Sequence, residues 1–478
     1  MRVVLIVDNP FRDLPGVVLL ARELAAAGMT CLLVPINLEW REVGALAPDA
    51  VVLTNIRAPR QEFAAHLVNA GIKVAVLENE GGVMPNFDTY RRMTAPDASL
   101  FRRLSCFCTW GPKVAGLARD EGWYSPEQVV VTGAPRFDFY APQWRAAALD
   151  ASDELAAYRE PLILINGSFP RSNPRFATPE QEVANWQRLG FDREHIVRFR
   201  DIEHRAMLGM ADVANHLARQ FPSVRVVYRP HPFERTETYE PLLEKRDNLE
   251  LLKVGTVEGW ILRSSVIVHR NSTTAIEAAM CGKPALLPTW LPTAETLEAC
   301  DAVSVKCDTW ESLDARIGEA LAGTWTPDAD LCANIDRTIG DWFCAIDGRS
   351  HLRVAEALTR HFTPGTPVDV EACRRMHYGW RESQLTARSR VGISIRMALG
   401  IPVTFSFVEA AHRDPGDRWA QSEKHFDAAR VRHVLDAAEG GPSALVVRQA
   451  EPRRDYRVRY TRGRSVVIEP ASVAGGQP

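Results

Sequence analysis

The sequence predicts an α/β protein of two parallel-sheet domains followed by a C-terminal extension, and three observations lead there. At 478 residues the chain exceeds what one hydrophobic core serves, so it must divide into domains. Apolar strands alternate with amphipathic helices in a βαβ rhythm through the first third, and the rhythm restarts at Pro161. The strands are apolar throughout rather than at every second residue, which marks strands covered by helices on both faces, as in a parallel sheet.

In the first domain, residues 1–150, the strands are Val3 to Val7, Thr30 to Pro35, Ala50 to Thr54, Val74 to Leu77, Cys106 to Thr109 and Val129 to Thr132. The run Val3 to Val7 is short and is followed by Asp8, Arg12 and Asp13, so it reads as a first strand and not as a secretion signal. Pro15 to Gly28 sets Val17, Leu20, Ala21 and Leu24 on one helical face, with Gly28 as its C-terminal stop. A polar stretch, Trp144 to Glu160, closes the domain. The second domain, residues 151–335, opens with the strand in Pro161 to Ser168 and continues with a long insertion, Phe169 to Glu203, rich in Pro, Asn and Arg. Such an excursion beside a strand end is more often functional than accidental. The helix His204 to Gln220, the strands Val224 to Tyr228 and Leu249 to Leu252, and the segment Val266 to Pro288 complete the series. Residues 336–362 are helical in pattern and are expected to cross back over the first domain.

The formal charge of −3 and a pI near 6.5 exclude a general nucleic-acid binder. The charge is uneven: residues 363–478 carry 18 Arg plus Lys against 13 Asp plus Glu, a surplus of five, which leaves −8 on the rest. Within this basic extension, Arg388 to Leu399 places Val391, Ile395, Ala398 and Leu399 on one side of a helix and Arg388, Arg390 and Arg396 elsewhere. That pattern suits either packing on the core or lying on an anionic membrane surface. Arg448 to Ile468 alternates like an exposed strand pair turning at Gly463. Nine cysteines without regular spacing fit a reducing compartment, and Cys106-Phe107-Cys108 is too tight for a metal knuckle. No run approaches the roughly 18 apolar residues that span a bilayer, so the expected location is the cytoplasm or the periphery of a membrane.

Four loops are expected to converge on the cleft between two such domains. The first is Asp8 to Gly16, including Arg12, at the end of the first strand. The second is Glu78-Asn79-Glu80-Gly81-Gly82, where paired glycines let a backbone approach a ligand and a carboxylate held in a partly dry cleft becomes a general base; Glu80, beside the glycines, is preferred over Glu78. The third is Arg229-Pro230-His231-Pro232, where two prolines stiffen the backbone and donate nothing, so that the imidazole of His231 is presented to a ligand. The fourth is Asn271-Ser272-Thr273-Thr274, where hydroxyls and helix-start N–H groups suit a phosphate; Glu277, one turn further on, is placed to reach ribose hydroxyls.

These motifs, with Thr132-Gly133-Ala134-Pro135-Arg136-Phe137-Asp138 closing the first sheet and Gly282-Lys283-Pro284 after the fourth loop, resemble a GT-B glycosyltransferase over about residues 1–362. More narrowly, the chain is similar to bacterial surface carbohydrate (capsule and lipopolysaccharide) biosynthesis proteins, relatives of Kdo transferases and of bacterial sialyl- and polysialyltransferases. The resemblance implies two Rossmann-like domains facing a central cleft and a CMP-sugar donor. It implies transfer of a Kdo- or sialic-acid-like sugar to a glycan or glycolipid acceptor, with the enzyme cytoplasmic or peripheral on the inner face of the membrane. It carries a base onto Glu80-Gly81, a phosphate-binding acid onto His231-Pro232 and a phosphate cradle onto Ser272 to Thr274, with Arg229 and Asn271 beside the donor. Asp8, Arg12, Gly81, Gly82 and Arg136 fall on the acceptor side. Asn79 interrupts the acidic pair, so the working carboxylate is Glu78 or Glu80, as base or as nucleophile. Neither cofactor nor metal is required, because a helix dipole and basic side chains take the part of a divalent ion. Asp328-Ala329-Asp330 follows Thr324 to Pro327 and reads as a solvated turn. A CDP-glycerol or UDP-sugar dependent transferase, an epimerase of the same fold, and a non-catalytic glycan-binding subunit are the alternatives.

Overall fold

Unbroken apolar runs and Gly or Pro punctuation sort the chain into two sheets in the computed structural model. It describes residues 1–79, 83–158, 161–188, 190–363, 365, 367–376, 391–392, 395, 398–399, 424–451 and 464–471. Glu80, Gly81 and Gly82, and the turn expected at Gly463, therefore lie outside the described residues.

The first sheet holds β1 (Arg2–Val7), β2 (Thr30–Pro35), β3 (Ala50–Leu53), β4 (Lys73–Leu77), β5 (Cys106–Thr109) and β6 (Val129–Val131). They are parallel in the order β2-β1-β3-β4-β5-β6. The second holds β7 (Leu162–Asn166), β8 (Arg225–Arg229), β9 (Leu249–Leu251), β10 (Val266–His269), β11 (Ala285–Pro288) and β12 (Val305–Cys307), parallel in the order β12-β11-β10-β7-β8-β9. The α/β architecture with two parallel sheets is thus the one the sequence predicts. In each sheet the first strand of the series has later strands on both sides. β1 lies between β2 and β3, and β7 between β10 and β8. The strand order reverses there, and ligands of open parallel sheets bind at such points, outside the carboxyl ends.

The compact units do not follow a simple cut. Unit 1 comprises Met1–Gly82, Thr94–Asp138 and Asp347–Pro478, and unit 2 comprises Val83–Met93 and Phe139–Ile346. The chain therefore leaves unit 1 at Asp138 rather than at residue 150, and residues 83–93 go with unit 2. The helical stretch expected over 336–362 is two helices, Ala329–Phe343 in unit 2 and Ser350–His361 in unit 1. Cys344 (φ 68°) and Gly348 (φ 70°) break it, since left-handed backbone cannot continue a helix. The second helix is capped from the end of the Thr132 to Asp138 motif. The buried Asp138 carboxylate accepts the Ser350 N–H (2.9 Å), the His351 N–H (2.8 Å) and His351 Nδ1–H (2.7 Å).

The extension belongs to unit 1. β13 (Val446–Gln449) and β14 (Val466–Glu469) pair antiparallel, as the alternation at 448–468 suggests, but β14 is buried, not exposed: it pairs with β2 and extends the sheet. Helix Ala428–Glu439 buries Val431, Val434 and Leu435. Of the stripe in Arg388 to Leu399, Val391, Ile395 and Leu399 are exposed, and the arginines lie outside the described residues. Among the described residues no helix is long and apolar enough to cross a membrane.

In unit 2 the long helix Arg193–Gln220 lays Met207, Met210, Val213 and Leu217 against Val226 and Val268 of the sheet. It starts within the stretch read as an insertion, capped by Asp192, whose carboxylate accepts the His195 N–H. Asp328 likewise accepts the Leu331 N–H (2.8 Å), so the Asp-x-Asp is the N-terminal cap of helix Ala329–Phe343.

Candidate functional site

Three polar residues end three adjacent strands where the order of the second sheet reverses. Asn166 of β7 is in register with Arg229 of β8 on one side and His269 of β10 on the other. A polar residue closing a strand as apolar as Leu162–Ile165 needs partners once buried. Asn166 Nδ2 donates to Thr274 Oγ1 (3.2 Å), whereas its Oδ1 is buried without a hydrogen-bond partner among the described residues. Arg229 Nη2 donates to the Gly255 carbonyl (3.2 Å) and its Nε is likewise buried without a partner. Burial lowers the pKa of this guanidinium, and the nearby carboxylates of Glu258 and Glu277 counter the shift. His269 is enclosed. Its Nδ1 accepts the Ser272 N–H (3.3 Å) and its Nε2–H meets Ser304 Oγ (2.9 Å), which donates to the Cys300 carbonyl (2.6 Å). Burial, helped by the Arg270 charge, lowers its pKa to about 3 and keeps the ring neutral.

The turn from β10 into helix Thr274–Met280 is held from outside. Asn271 adopts φ 59°, which Asn tolerates. Its side chain donates to the Glu295 carbonyl (2.8 Å) and accepts the Leu297 N–H (2.9 Å). Asn271 therefore fastens a neighbouring loop. The Ser272 and Thr274 hydroxyls bond each other (2.9 Å), and Thr273 stands between them at the helix start. Glu277, expected near ribose hydroxyls, is buried and accepts the Tyr140 hydroxyl (2.6 Å). It sits next to Arg229 as part of the floor of the site.

His231 follows β8 in a loop organised by a buried carboxylate. Glu234 accepts the N–H groups of His231 (3.0 Å) and Phe169 (2.9 Å) and the Tyr239 hydroxyl. Burial pushes the Glu234 pKa up. Lys253 Nζ donates to the carbonyls of Pro232 (3.3 Å) and Glu234. His231 Nδ1 accepts the Phe233 N–H (3.2 Å), so the neutral ring carries its proton on Nε2. Gly167 lets this loop approach: a Cβ there would stand 3.3 Å from both Glu234 Oε1 and Pro230 Cα.

In unit 1, Asp8 ends β1 and is bonded to Arg12 (3.3 Å) and to Lys424 of the extension. Glu39 pairs with Arg60, and burial nevertheless pushes its pKa up to about 7. Glu78 is 2 % exposed at the end of β4, where its charge helps raise the pKa of the buried Tyr124. Arg136 is stacked over Phe137 (4.2 Å) and Trp110 (5.2 Å). The backbone of Arg136 approaches Gly16 so closely that a Cβ there would lie 2.5 Å from its N.

Arg229, His231, Asn271, Ser272, Thr273, Thr274 and Glu277 thus all lie in unit 2, and Asp8, Arg12, Glu78 and Arg136 in unit 1, where the contacts described join Asp8 to Arg12 and neither Glu78 nor Arg136 to that pair. Sequence reasoning missed Asn166, Glu234 and Lys424. Asn166 had a signal, being the one polar residue at the end of a fully apolar strand, and Glu234 follows the histidine by three residues. Lys424 had none, because its partner lies 416 residues away.

No family model and no curated protein matches the chain. Among solved structures it is similar to the S. aureus MnaA–UDP co-structure (14 % identical, 77 % of this chain and 99 % of that one, TM-score 0.48). It is also similar to UDP-GlcNAc 2-epimerase from Neisseria meningitidis bound to UDP-GlcNAc (12 % identical, 75 % and 100 %, TM-score 0.48). A third is the wall teichoic acid polymerase TagF (10 % identical, 66 % and 73 %, TM-score 0.41). At these identities the likeness is one of fold.

Proposed function

We propose that the protein is a sugar-nucleotide-dependent glycosyltransferase of bacterial surface carbohydrate synthesis, with the donor phosphate seated over the ends of β7, β8 and β10. The observation that supports this reading most is the row His269, Asn166 and Arg229 at the strand-order reversal, with buried polar atoms on Asn166 and Arg229 that lack partners among the described residues. Leaving such an atom unsatisfied costs about 1–3 kcal/mol, which a bound phosphate or hydroxyl recovers. The finer reading is a CMP-linked Kdo- or sialic-acid-like donor and a glycan or glycolipid acceptor, with peripheral attachment to the inner membrane face through the exposed stripe at Val391, Ile395 and Leu399.

In this scheme the acceptor hydroxyl oxygen attacks the anomeric carbon as the bond from that carbon to the phosphate oxygen breaks. The phosphate leaves with the bonding electrons, and His231 Nε2–H donates to it while the Thr273 N–H and the hydroxyls of Ser272 to Thr274 hold its other oxygens. A carboxylate, Glu80 or Glu78, takes the hydroxyl proton. A base on the acceptor and a donor on the leaving group together lower the barrier, each typically by a factor of about 10² to 10⁴.

Thermal shift of the whole protein with CMP, CDP, UDP and their sugar or glycerol conjugates tests the donor. A ligand at about 100 times its dissociation constant stabilises by roughly 2.7 kcal/mol. Stabilisation by CMP compounds, with turnover of the CMP-sugar reduced about 100-fold or more in His231→Ala, is the expected result. Stabilisation by UDP or CDP-glycerol alone would replace the donor with one of those. No stabilisation by any nucleotide would leave a non-catalytic glycan-binding subunit.

A further inference from the structure

We infer that Glu203, paired with Arg171 behind the His231 loop, is a positioning residue whose proton sets how tightly unit 2 holds the phosphate of a nucleotide. Under the sugar-nucleotide reading of unit 2, on which this rests, the pair tunes the phosphate seat without touching the ligand.

Arg171 stands in the loop that leaves β7, and its guanidinium is fixed from two helices. It lies over the Trp186 ring of helix Pro179–Arg188 (4.4 Å) and over the Phe199 ring of helix Arg193–Gln220 (4.5 Å). Its Nη1 donates to Glu203 Oε1 (3.3 Å). The rings hold the cation in place whatever the charge on Glu203. The Glu203 side chain is 12 % exposed, and its Oε2 is buried without a hydrogen-bond partner among the described residues. A carboxyl seated in this way is finely balanced, because enclosure favours the neutral acid and Arg171 favours the anion. The same loop is braced to the backbone that carries His231. Phe169, two residues before Arg171, donates its N–H to Glu234 Oε1 (2.9 Å), the oxygen that also accepts the His231 N–H (3.0 Å). Asn173, two residues after it, donates from Nδ2 to the Arg235 carbonyl (2.9 Å) and accepts the Arg235 N–H (3.2 Å).

Burial pushes the Glu203 carboxyl up to about 7 against the pull of Arg171, and the charge of Glu234 adds to the rise. The Ser172 N–H favours the anion to a lesser degree. Lys253 acts on Glu234 and donates to its carbonyl. On the helix of Glu203, Arg200 and Asp201 pair with each other (3.0 Å), and His204 and Arg205 are exposed. On helix Pro179–Arg188, Glu182 accepts the Trp186 indole N–H (2.8 Å). Glu203 is therefore half ionised near neutral pH. Once it is protonated, the cluster gains one positive charge while the Arg171 guanidinium stays between its rings. An anionic phosphate gains from that charge, and by linkage its binding draws a proton onto Glu203. One charge roughly 10 Å from a phosphate changes its affinity about tenfold at an effective dielectric of about 20.

Calorimetry of the whole protein with CMP and UDP decides, at pH 6 and pH 8 for affinity and at pH 7 in two buffers of different ionisation enthalpy for protons. The unmodified protein should take up about 0.4 proton at pH 7 through Glu203, and Glu203→Gln should lack that share. This variant mimics the protonated carboxyl. It should bind either nucleotide about fivefold more tightly than the unmodified protein at pH 8 and within about twofold of it at pH 6. Arg171→Gln should do the reverse, binding about tenfold more weakly at pH 6 and within about twofold at pH 8. A pair that only braced the loops would lose affinity at both pH values when either member is changed. Equal or weaker binding by Glu203→Gln at pH 8, or proton uptake unchanged in it, overturns the role of Glu203 alone. If the unmodified protein binds neither nucleotide, the donor reading beneath it is refuted instead.

Discussion

The enclosed His269 makes a quantitative prediction about how unit 2 responds to acid. The ring is 0 % exposed, with one nitrogen accepting from Ser272 and the other donating to Ser304, and its pKa falls from 6.5 to about 3. Between those values the unfolded chain binds a proton there that the folded chain refuses. Stability from this group is complete above pH 6.5 and is lost as the pH falls toward 3. At pH 5 the loss is about 2 kcal/mol, and it tends toward about 5 kcal/mol at the acid limit. The pH profile of the unmodified protein is a sum of opposing contributions. Glu39 and Glu203, both pushed up to about 7 by burial, lose stability as the pH rises from 4.5 to 7, while His425, lowered to about 4, acts in the same sense as His269. The comparison with His269→Asn, which keeps an acceptor for the Ser272 N–H but does not titrate, isolates the single ring. Native-state hydrogen exchange of the β10 amides reads the opening free energy of unit 2 in both chains. The variant starts less stable at pH 8 because its bond to Ser304 is lost, and the gap should close by about 2 kcal/mol at pH 5. A gap that stays constant within about 0.5 kcal/mol over that range would refute the reasoning.

The remaining predictions concern unit 1. Asp138→Ala removes a buried acceptor of three bonds at the start of helix Ser350–His361 and should destabilise unit 1 by about 3 kcal/mol, with Asp138→Asn in between; urea unfolding measures both. Gly16→Ala places a Cβ 2.5 Å from Arg136 N and 2.8 Å from Pro135 C, backbone atoms with no room to yield, so a loss of about 1–3 kcal/mol is expected; unchanged stability would contradict the close approach. Ending the chain at Phe362 strips β14 from β2 and uncovers an apolar strand edge, so that chain should self-associate in sedimentation velocity. Membrane attachment is better tested by vesicle co-sedimentation of Ile395→Asp/Leu399→Asp, which alters two exposed side chains and should abolish binding to anionic vesicles if the stripe docks there.

What the sequence revealed and what it hid follow one division. Strands β1 to β5, β7, β8 and β10 were legible because each is a continuous apolar run between turn residues, a local signal. β12, Val305–Cys307, is three residues long with an exposed lysine at its centre, too short and too polar for such a signal. The early start of helix Arg193–Gln220 was hidden by the Pro- and Arg-rich stretch before it, although Asp192 with Glu194 is an N-terminal signature. The Pro-bracketed His231 and the hydroxyl cluster at Ser272 were legible for the same local reason. Register was not: that Asn166 stands between Arg229 and His269 depends on pairings more than 60 residues apart. The extension shows the same limit, since the alternation at Arg448 to Ile468 announces strands but cannot say that β14 joins β2.

The two sheets are alike in topology, yet their reversal points differ in what they leave for a ligand. In unit 2 the row at Asn166 keeps hydrogen-bonding capacity that no described residue uses, on an amide and on a guanidinium flanked by buried carboxylates, beside a histidine whose two nitrogens are both engaged. In unit 1 the end of β1 carries Asp8 already bonded to Arg12 and to Lys424, and Arg430 of the same extension lies over Phe11 (4.5 Å). The extension thus supplies cations to the place where an acceptor side would be sought, besides completing the sheet through β14. An acceptor that engages Asp8 must compete with Lys424 or use it. The segment that supplies these contacts lies outside the stretch of sequence resembling glycosyltransferases, so under the proposed function replacing Lys424 is the change that tests whether it bears on the acceptor.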